Sequence, residues 1–253
     1  MDDVGLAATL VQDAARLALA MRLRGVASEQ KTSAADLVSA ADRTAEALIK
    51  DRLRDERPED GVLGEEGASV ASRNGRRWVI DPVDGTFNFL SGLPTWCSAV
   101  ALEHDGVLLA GAVDIPATRE TWAAGRGLGT TVNGGAVEPL ADKPLRDCSV
   151  ASYLDRSDVS DAATMAVLSR LMDGAATLRI SGSGTADLAD VAAGRIGLWI
   201  QPDCADWDWL PGRALVEGVG GRTVIVEHLG RRWYLAGSGA AVDEAAERLV
   251  TAG

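Results

Sequence analysis

Apolar residues recur at helical spacing over residues 6–24, where Leu6, Leu10, Leu17, Met21 and several alanines form one stripe and Gly25 is placed to end the helix. A second helical pattern covers residues 39–54, with Ser39 as a candidate cap and Asp42 in the first turn, where the helix dipole favours a carboxylate. A polar link over residues 30–36 joins the two. A short apolar step, Gly61-Val62-Leu63-Gly64, then runs into the paired acids Glu65 and Glu66, and Asn74-Gly75 marks a turn. Trp78-Val79-Ile80 reads as the end of a buried strand, and Pro82, which has no N–H, is expected to stop the pairing. Residues 97–102 and 107–115 flank His104-Asp105-Gly106, a hairpin signal, and residues 121–135 continue with strand and glycine-rich turns. The first half therefore predicts helices on one side of an antiparallel sheet.

Proline and charge concentrate over residues 138–147, which divides the chain into an N-terminal α+β half, 1–140, and a C-terminal α/β half, 141–253, of one compact unit. Beyond the division, strand patterns at 148–153, 177–180 and 196–200 alternate with helical ones at 161–172 and 185–193, an order that suggests a more parallel sheet. The loop Ser181-Gly182-Ser183-Gly184 lacks the lysine of a phosphate-binding P-loop, and close backbone approach explains it as well. Asp206 and Asp208 interleave with Trp207 and Trp209 ahead of a helix over 210–219. The tryptophans read as core, whereas Asp208, between an extended segment and an apolar helix, is placed for burial and then needs a partner. Strands at 223–226 and 233–236 and a helix at 242–250 close the chain.

With 253 residues, 47% of them apolar, the chain can bury a sizeable core. Its formal charge of −12 repels nucleic acid and anionic membrane surfaces, so a small anionic substrate needs a local cation to enter. The start is acidic, and no apolar run approaches the roughly 20 residues of a spanning helix, which reads as a cytoplasmic, soluble protein. Cys97, Cys148 and Cys204 are odd in number and far apart, as expected of reduced, buried thiols. His104 and His228, at a turn and near a strand end, are poor candidates for a catalytic imidazole.

What remains is carboxylate chemistry. Asp81 and Asp84 stand three apart around Pro82, and Asp84-Gly85-Thr86 looks like a helix start whose free N–H groups can hold an anion. Taken singly, Asp36, Asp42 and the Glu65-Glu66 pair read as capping or solvated charges. If Glu65, Asp81, Asp84 and Asp208 converge, two carboxylates 4 Å apart repel by about 4 kcal/mol at an effective dielectric of 20, and protons or cations must relieve it. Hard oxygen ligands without histidine or cysteine select Mg²⁺, Mn²⁺ or Ca²⁺ over zinc. Two ions bridged by a shared carboxylate would suit phosphoryl transfer to water, one activating the water and the other stabilising the leaving oxygen.

The run from Trp78 through Asp81, Asp84, Gly85 and Thr86 to Phe89 resembles the first signature of the inositol monophosphatase family. Gly64-Glu65-Glu66, Trp207-Asp208 with Gly220-Gly221, and Lys31, Asp36-Leu37-Val38 and Asp42 resemble its other motifs, in the same order. The resemblance implies an α/β layered fold, the αβαβα sandwich of the inositol monophosphatase and fructose-1,6-bisphosphatase type. It also implies a homodimer with Li⁺-sensitive, Mg²⁺-dependent phosphomonoesterase activity, using two or three ions with Mn²⁺ as a possible substitute. Carried over by motif, Glu65, Asp81 and the Val83 carbonyl hold the first metal, and Asp81, Asp84 and Asp208 the second. Thr86, paired with Asp42, orients or deprotonates the attacking water, with Glu65 assisting through a weaker third metal site. Asp84, Gly85, Thr86, Gly184, Gln201 and Asp208 border the substrate, the Gly85 and Thr86 N–H groups meeting its phosphate.

Two departures stand out. Trp209-Leu210-Pro211 replaces the family's small residues, with Pro211 expected in a first helical turn, and Gln201 stands where inositol-specific members tend to carry a glutamate. The expected substrate is inositol 1-phosphate or a similar polyol phosphate. Histidinol phosphate, an amino alcohol ester whose amine Asp203 or Asp206 could meet, is the alternative, and a non-catalytic metal- or partner-binding member is the reading from a different class. Doubly charged sugar bisphosphates and 3′-phosphoadenosine nucleotides are disfavoured by the overall acidity.

Overall fold

The structure is a computed structural model that describes residues 1–24, 28–30 and 37–250. Lys31 and Asp36 of the N-terminal motif, and Gly25, lie outside the described residues. In chain order come α1 (Asp3–Arg24), β1 (Ser28–Gln30), β2 (Leu37–Ser39), α2 (Ala40–Glu56), β3 (Gly61–Gly64), β4 (Ser69–Val70), β5 (Arg76–Asp84), α3 (Thr86–Ser91), β6 (Cys97–His104), β7 (Val107–Ile115), β8 (Glu120–Gly125), β9 (Gly129–Val132) and β10 (Gly135–Ala136). After a 3₁₀ turn at Leu145–Asp147 follow β11 (Ser149–Ala151), α4 (Arg156–Ser160), α5 (Ala162–Asp173), β12 (Thr177–Arg179), α6 (Gly184–Ala192), β13 (Leu198–Pro202), α7 (Asp206–Gly218), β14 (Arg222–His228), β15 (Arg231–Gly237) and α8 (Gly239–Val250).

Three apolar clusters define five layers. Leu6, Leu10 and Ala14 of α1 and Ala45 and Ile49 of α2 pack on Trp78, Ile80, Val100 and Ala112, one face of an eight-stranded sheet. The opposite face, through Val79, Ala99 and Val113, meets Leu188 of α6 and Leu215 of α7, and those helices meet Trp199 and Tyr234 of a second, five-stranded sheet. Beyond it, Leu198 and Leu235 pack on Val167 of α5 and Val242 of α8. Alternation along each strand supplies both faces of each sheet, so the order is αβαβα.

The large sheet is antiparallel except for the parallel pair β3 and β5. Helices cover both of its faces rather than one, because the second half contributes α6 and α7, which a reading confined to the first half could not supply. In the small sheet β11 runs parallel to β12 and β13, while β15 is antiparallel to β13 and β14. At the hairpin between β6 and β7, Asp105 and Gly106 both take positive φ, 49° and 78°, as a primed turn requires. By length and composition α1 is apolar enough to cross a membrane, contrary to the expectation from the apolar runs, yet its Leu6, Leu10, Val11 and Ala14 are fully buried against the sheet. All three cysteines are free and buried.

Candidate active site

β5 does not stop at Pro82. It continues to Asp84, and its register against β6 shifts from Asp81↔Ala99 to Asp84↔Cys97, which leaves one extra residue on β5. Pro82 sits in this bulge, where its missing N–H costs no ladder bond, and its carbonyl accepts the Ser98 hydroxyl at 2.6 Å. In a regular strand, residues three apart point to opposite faces; the extra residue turns Asp81 and Asp84 toward one point. Gly85 then closes the strand at φ 88°. A Cβ there would lie 3.1 Å from the carbonyls of Gly182 and Thr95, so both the backbone angle and the close approach require glycine.

The bulge opens on a cavity of about 140 Å³ lined by Glu65, Asp81, Val83, Asp84, Gly85, Thr86, Phe87, Tyr153, Gly182, Gly184, Gln201 and Asp208. Ligand oxygens of Asp81, Asp84 and Asp208 lie within 4.8 Å of one another. Asp81 is buried, and burial with Glu65, Asp84 and Asp208 nearby pushes its pKa well up. Burial and the neighbouring Asp84 carry Asp208 up to about 7. Asp84 is raised less freely, since burial is opposed by hydrogen bonds from Ser183 and Thr185. Such a set repels itself when ionised, and its all-oxygen, carboxylate-rich chemistry fits a hard divalent cation. Among the described residues, no lysine, arginine or histidine lines the cavity.

Thr86 Oγ1 lies 3.1 Å from Asp42 Oδ1 and 3.1 Å from the Val83 carbonyl, and Val83 N–H donates to Asp81 at 3.0 Å. Asp42 is fully buried in the first turn of α2, behind the cavity rather than on its lining. Every other residue carried over by motif (Glu65, Asp81, Val83, Asp84, Gly85, Thr86, Gly184, Gln201 and Asp208) lines the cavity. Neither His104 nor His228 does. Asp203 pairs with Arg231 at 2.6 Å and Asp206 with Arg77 at 2.9 Å, and both are away from the lining, so neither is placed to meet a substrate amine.

Several contributors were not legible in the sequence. Asp84 Oδ2 accepts the Ser183 hydroxyl at 2.6 Å and the Thr185 N–H at 2.7 Å, so the glycine-serine loop and the start of α6 hold the Asp84 carboxylate. Glu46 of α2 is buried and accepts the N–H groups of Glu66 and Ala68, both at 2.8 Å, which fixes the turn carrying Glu65. Gly64 leaves the space that the Glu46 carboxylate occupies. The one available signal was Glu46 four residues after Asp42, on the same helix face.

Asp208 stands in the first turn of α7, which begins at Asp206, four residues earlier than expected. Pro211 is therefore in the second turn, where it removes the bond to the Trp207 carbonyl, instead of in the tolerant first turn. Trp209 stacks on Trp199 with centroids 5.8 Å apart and meets Tyr234 edge-on at 5.2 Å, so the unusual tryptophan fills core beside the site.

A profile of the inositol monophosphatase family matches residues 2–252. The chain belongs to this family. It is 39% identical over 202 residues to an inositol-1-monophosphatase of Rhizobium meliloti, covering 78% of this chain and 75% of that one. A histidinol-phosphatase of Mycobacterium tuberculosis is 35% identical over 189 residues, 73% of this chain and 72% of its own. The solved structure of the extragenic suppressor protein suhB from Bartonella henselae superposes with a TM-score of 0.89 at 28% identity, covering 98% of each chain. Membership makes this chain a phosphomonoesterase, a hydrolase acting on phosphorylated small molecules, and its layered fold is that of the family.

Proposed function

We propose that this enzyme hydrolyses inositol 1-phosphate or a similar polyol phosphate with Mg²⁺, releasing the alcohol and inorganic phosphate. The observation that carries the reading is a cavity walled by Glu65, Asp81, Asp84 and Asp208, with ligand oxygens of the three aspartates within 4.8 Å of one another. Glu65, Asp81 and the Val83 carbonyl would hold one ion, Asp81, Asp84 and Asp208 a second, and Glu65 a weaker third, with Mn²⁺ able to substitute and Li⁺ able to inhibit. Bound magnesium lowers the pKa of water and neutralises charge on the phosphate.

The chain's own residues supply position and proton handling. Asp42 accepts the Thr86 hydroxyl, which leaves an oxygen lone pair of Thr86 to orient the attacking water and receive its proton, while the threonine proton passes to Asp42. The N–H groups of Gly85 and Thr86 meet the phosphate, and Gly184 and Gln201 border the alcohol. Gln201 is neutral, and the acids that could have met an amine are paired with arginines, which supports a polyol over histidinol phosphate. The histidinol-phosphatase relative keeps that substrate as the second reading.

Residues 1–140 and 141–253 would act as two halves of one unit, since ligands Asp84 and Asp208 come from either side. A homodimer is supported by β12, an edge strand with exposed Leu178 and, just after it, Ile180, which an isolated chain leaves uncovered. Three free thiols support a cytoplasmic location. Phosphate release from inositol 1-phosphate, histidinol phosphate, fructose 1,6-bisphosphate and 3′-phosphoadenosine 5′-phosphate, each with and without Mg²⁺, tests the reading. Preference for inositol 1-phosphate is expected, and preference for histidinol phosphate replaces it with the second.

A further inference from the structure

The cavity has one wall without carboxylates, formed by Phe87, Tyr153, Gly182, Gly184 and Gln201. Tyr153 belongs to none of the family motifs in this chain. The small sheet explains how it reaches the site. β11 and β13 run parallel with Ala151 beside Trp199. Gln201 lies two residues further along β13, Tyr153 lies two residues past the end of β11, and both line the cavity. They are neighbours at the carboxyl ends of parallel strands, the edge where open α/β sheets bind ligands.

Both side chains have unused hydrogen-bonding capacity. Gln201 Oε1 is buried without a partner among the described residues. The Tyr153 side chain is half-buried, and its hydroxyl makes no hydrogen bond to the described residues. Burial, with Asp84 and Asp208 nearby, pushes the phenol up to about 12, so it remains a donor at physiological pH. The Gln201 oxygen is an acceptor, and a hydroxyl can donate to one while accepting from the other. An ammonium would have no carboxylate to meet on this wall.

The segment that carries Tyr153 is also fixed. Just beyond it, Asp155 caps α4 by accepting the N–H groups of Ser157 and Asp158. Arg231 binds Asp158 at 2.7 Å, Thr164 at 2.7 Å and Asp203 at 2.6 Å. One guanidinium thus ties the stretch after Tyr153 to the stretch after Gln201.

We propose that Tyr153 is a specificity-determining residue whose hydroxyl, beside the Gln201 carboxamide, binds a neutral hydroxyl of the alcohol being released. The assignment rests on the polyol-phosphate reading above and gives it a discriminating group. Because the bond is made to the alcohol and not to the phosphate, its loss weakens substrates that carry hydroxyls and spares those that do not.

The test is steady-state kinetics of the Mg²⁺-loaded wild type and Tyr153→Phe on inositol 1-phosphate and on propyl phosphate, whose alcohol bears no further hydroxyl. Tyr153→Phe should raise KM for inositol 1-phosphate about five- to tenfold, the worth of one hydrogen bond, with kcat within about twofold and propyl phosphate unchanged. A wild type that shows no preference for inositol 1-phosphate over propyl phosphate overturns the polyol reading and this inference together. A preference that survives intact in Tyr153→Phe overturns this inference alone. Equal losses on both substrates give Tyr153 a structural role and overturn it as well.

Discussion

Asp84 and Ser183, 99 residues apart in sequence, share a 2.6 Å hydrogen bond beneath the candidate metal site. The bond crosses between the halves of the chain, from the end of β5 to the loop before α6. It occupies Asp84 Oδ2, together with the Thr185 N–H, and neither bond uses Oδ1.

Ser183→Ala removes that donor and the cap of α6, because the same hydroxyl accepts the Ala186 N–H at 3.3 Å. Loss of a supporting hydrogen bond typically weakens a metal site about 10- to 100-fold, and loss of the cap costs about 1 kcal/mol. Isothermal titration with Mg²⁺ and thermal melting should show weaker binding and a Tm a few degrees lower. Unchanged Mg²⁺ affinity would remove Ser183 from the support of the site.

Glu46→Gln leaves one acceptor oxygen where the Glu66 and Ala68 N–H groups need two. A buried N–H without its partner costs about 1–3 kcal/mol, and the turn carrying Glu65 should loosen. Denaturant unfolding should register that loss, and the Mg²⁺ concentration for half-maximal activity should rise. A stability loss with an unaltered Mg²⁺ requirement would separate the turn from the metal.

Thr86→Ala deletes the hydroxyl between Asp42 and the Val83 carbonyl without touching a carboxylate. Turnover should fall by about 10²–10⁴, the usual worth of a positioned proton-transfer group, with Mg²⁺ affinity nearly kept. Stopped-time phosphate release and Mg²⁺ titration on the same sample distinguish this from a structural role, in which metal binding would be lost too.

Asp187 is buried in α6 with Oδ2 unpartnered, and burial, opposed by Ser181, carries its pKa up to about 7. A carboxyl near 4 when unfolded and near 7 when folded binds more protons in the folded state between those values. Its favourable contribution is therefore complete below about pH 4 and lost as pH rises through about 7, at about 1.4 kcal/mol for each pH step of one between those values. Melting of Asp187→Asn, free of metal, should show a flatter decline in Tm from about pH 5 to about pH 8 than the wild type. Parallel declines would assign the pH dependence to other groups.

The carboxylates that gather around the cavity were legible because each ends or follows a strong local pattern. Glu65 follows a short apolar strand, Asp81 and Asp84 surround a proline at the end of another, and Asp208 opens an apolar helix. Glu46, Ser183 and Thr185 act through partners up to 101 residues away, and nothing in their own surroundings announces it. Pro82 and Pro211 mark the same limit. A proline suggests where regular structure stops, yet one is accommodated by a bulge whose extra residue needs no donor, and the other by a helix whose first turn began earlier than its apolar stripe. Tyr153, two residues past the end of β11, is brought to the cavity by tertiary packing that its own surroundings in sequence do not announce.

Asp81, Asp84 and Asp208 together are the proposed seat of the catalytic cation. Phosphate release from inositol 1-phosphate as a function of Mg²⁺ concentration, wild type against Asp84→Asn, tests it most directly. Wild-type activity should depend on Mg²⁺ and should fall at least about 10²-fold in Asp84→Asn, with a higher Mg²⁺ requirement. Equal Mg²⁺-dependent release by both proteins would contradict it.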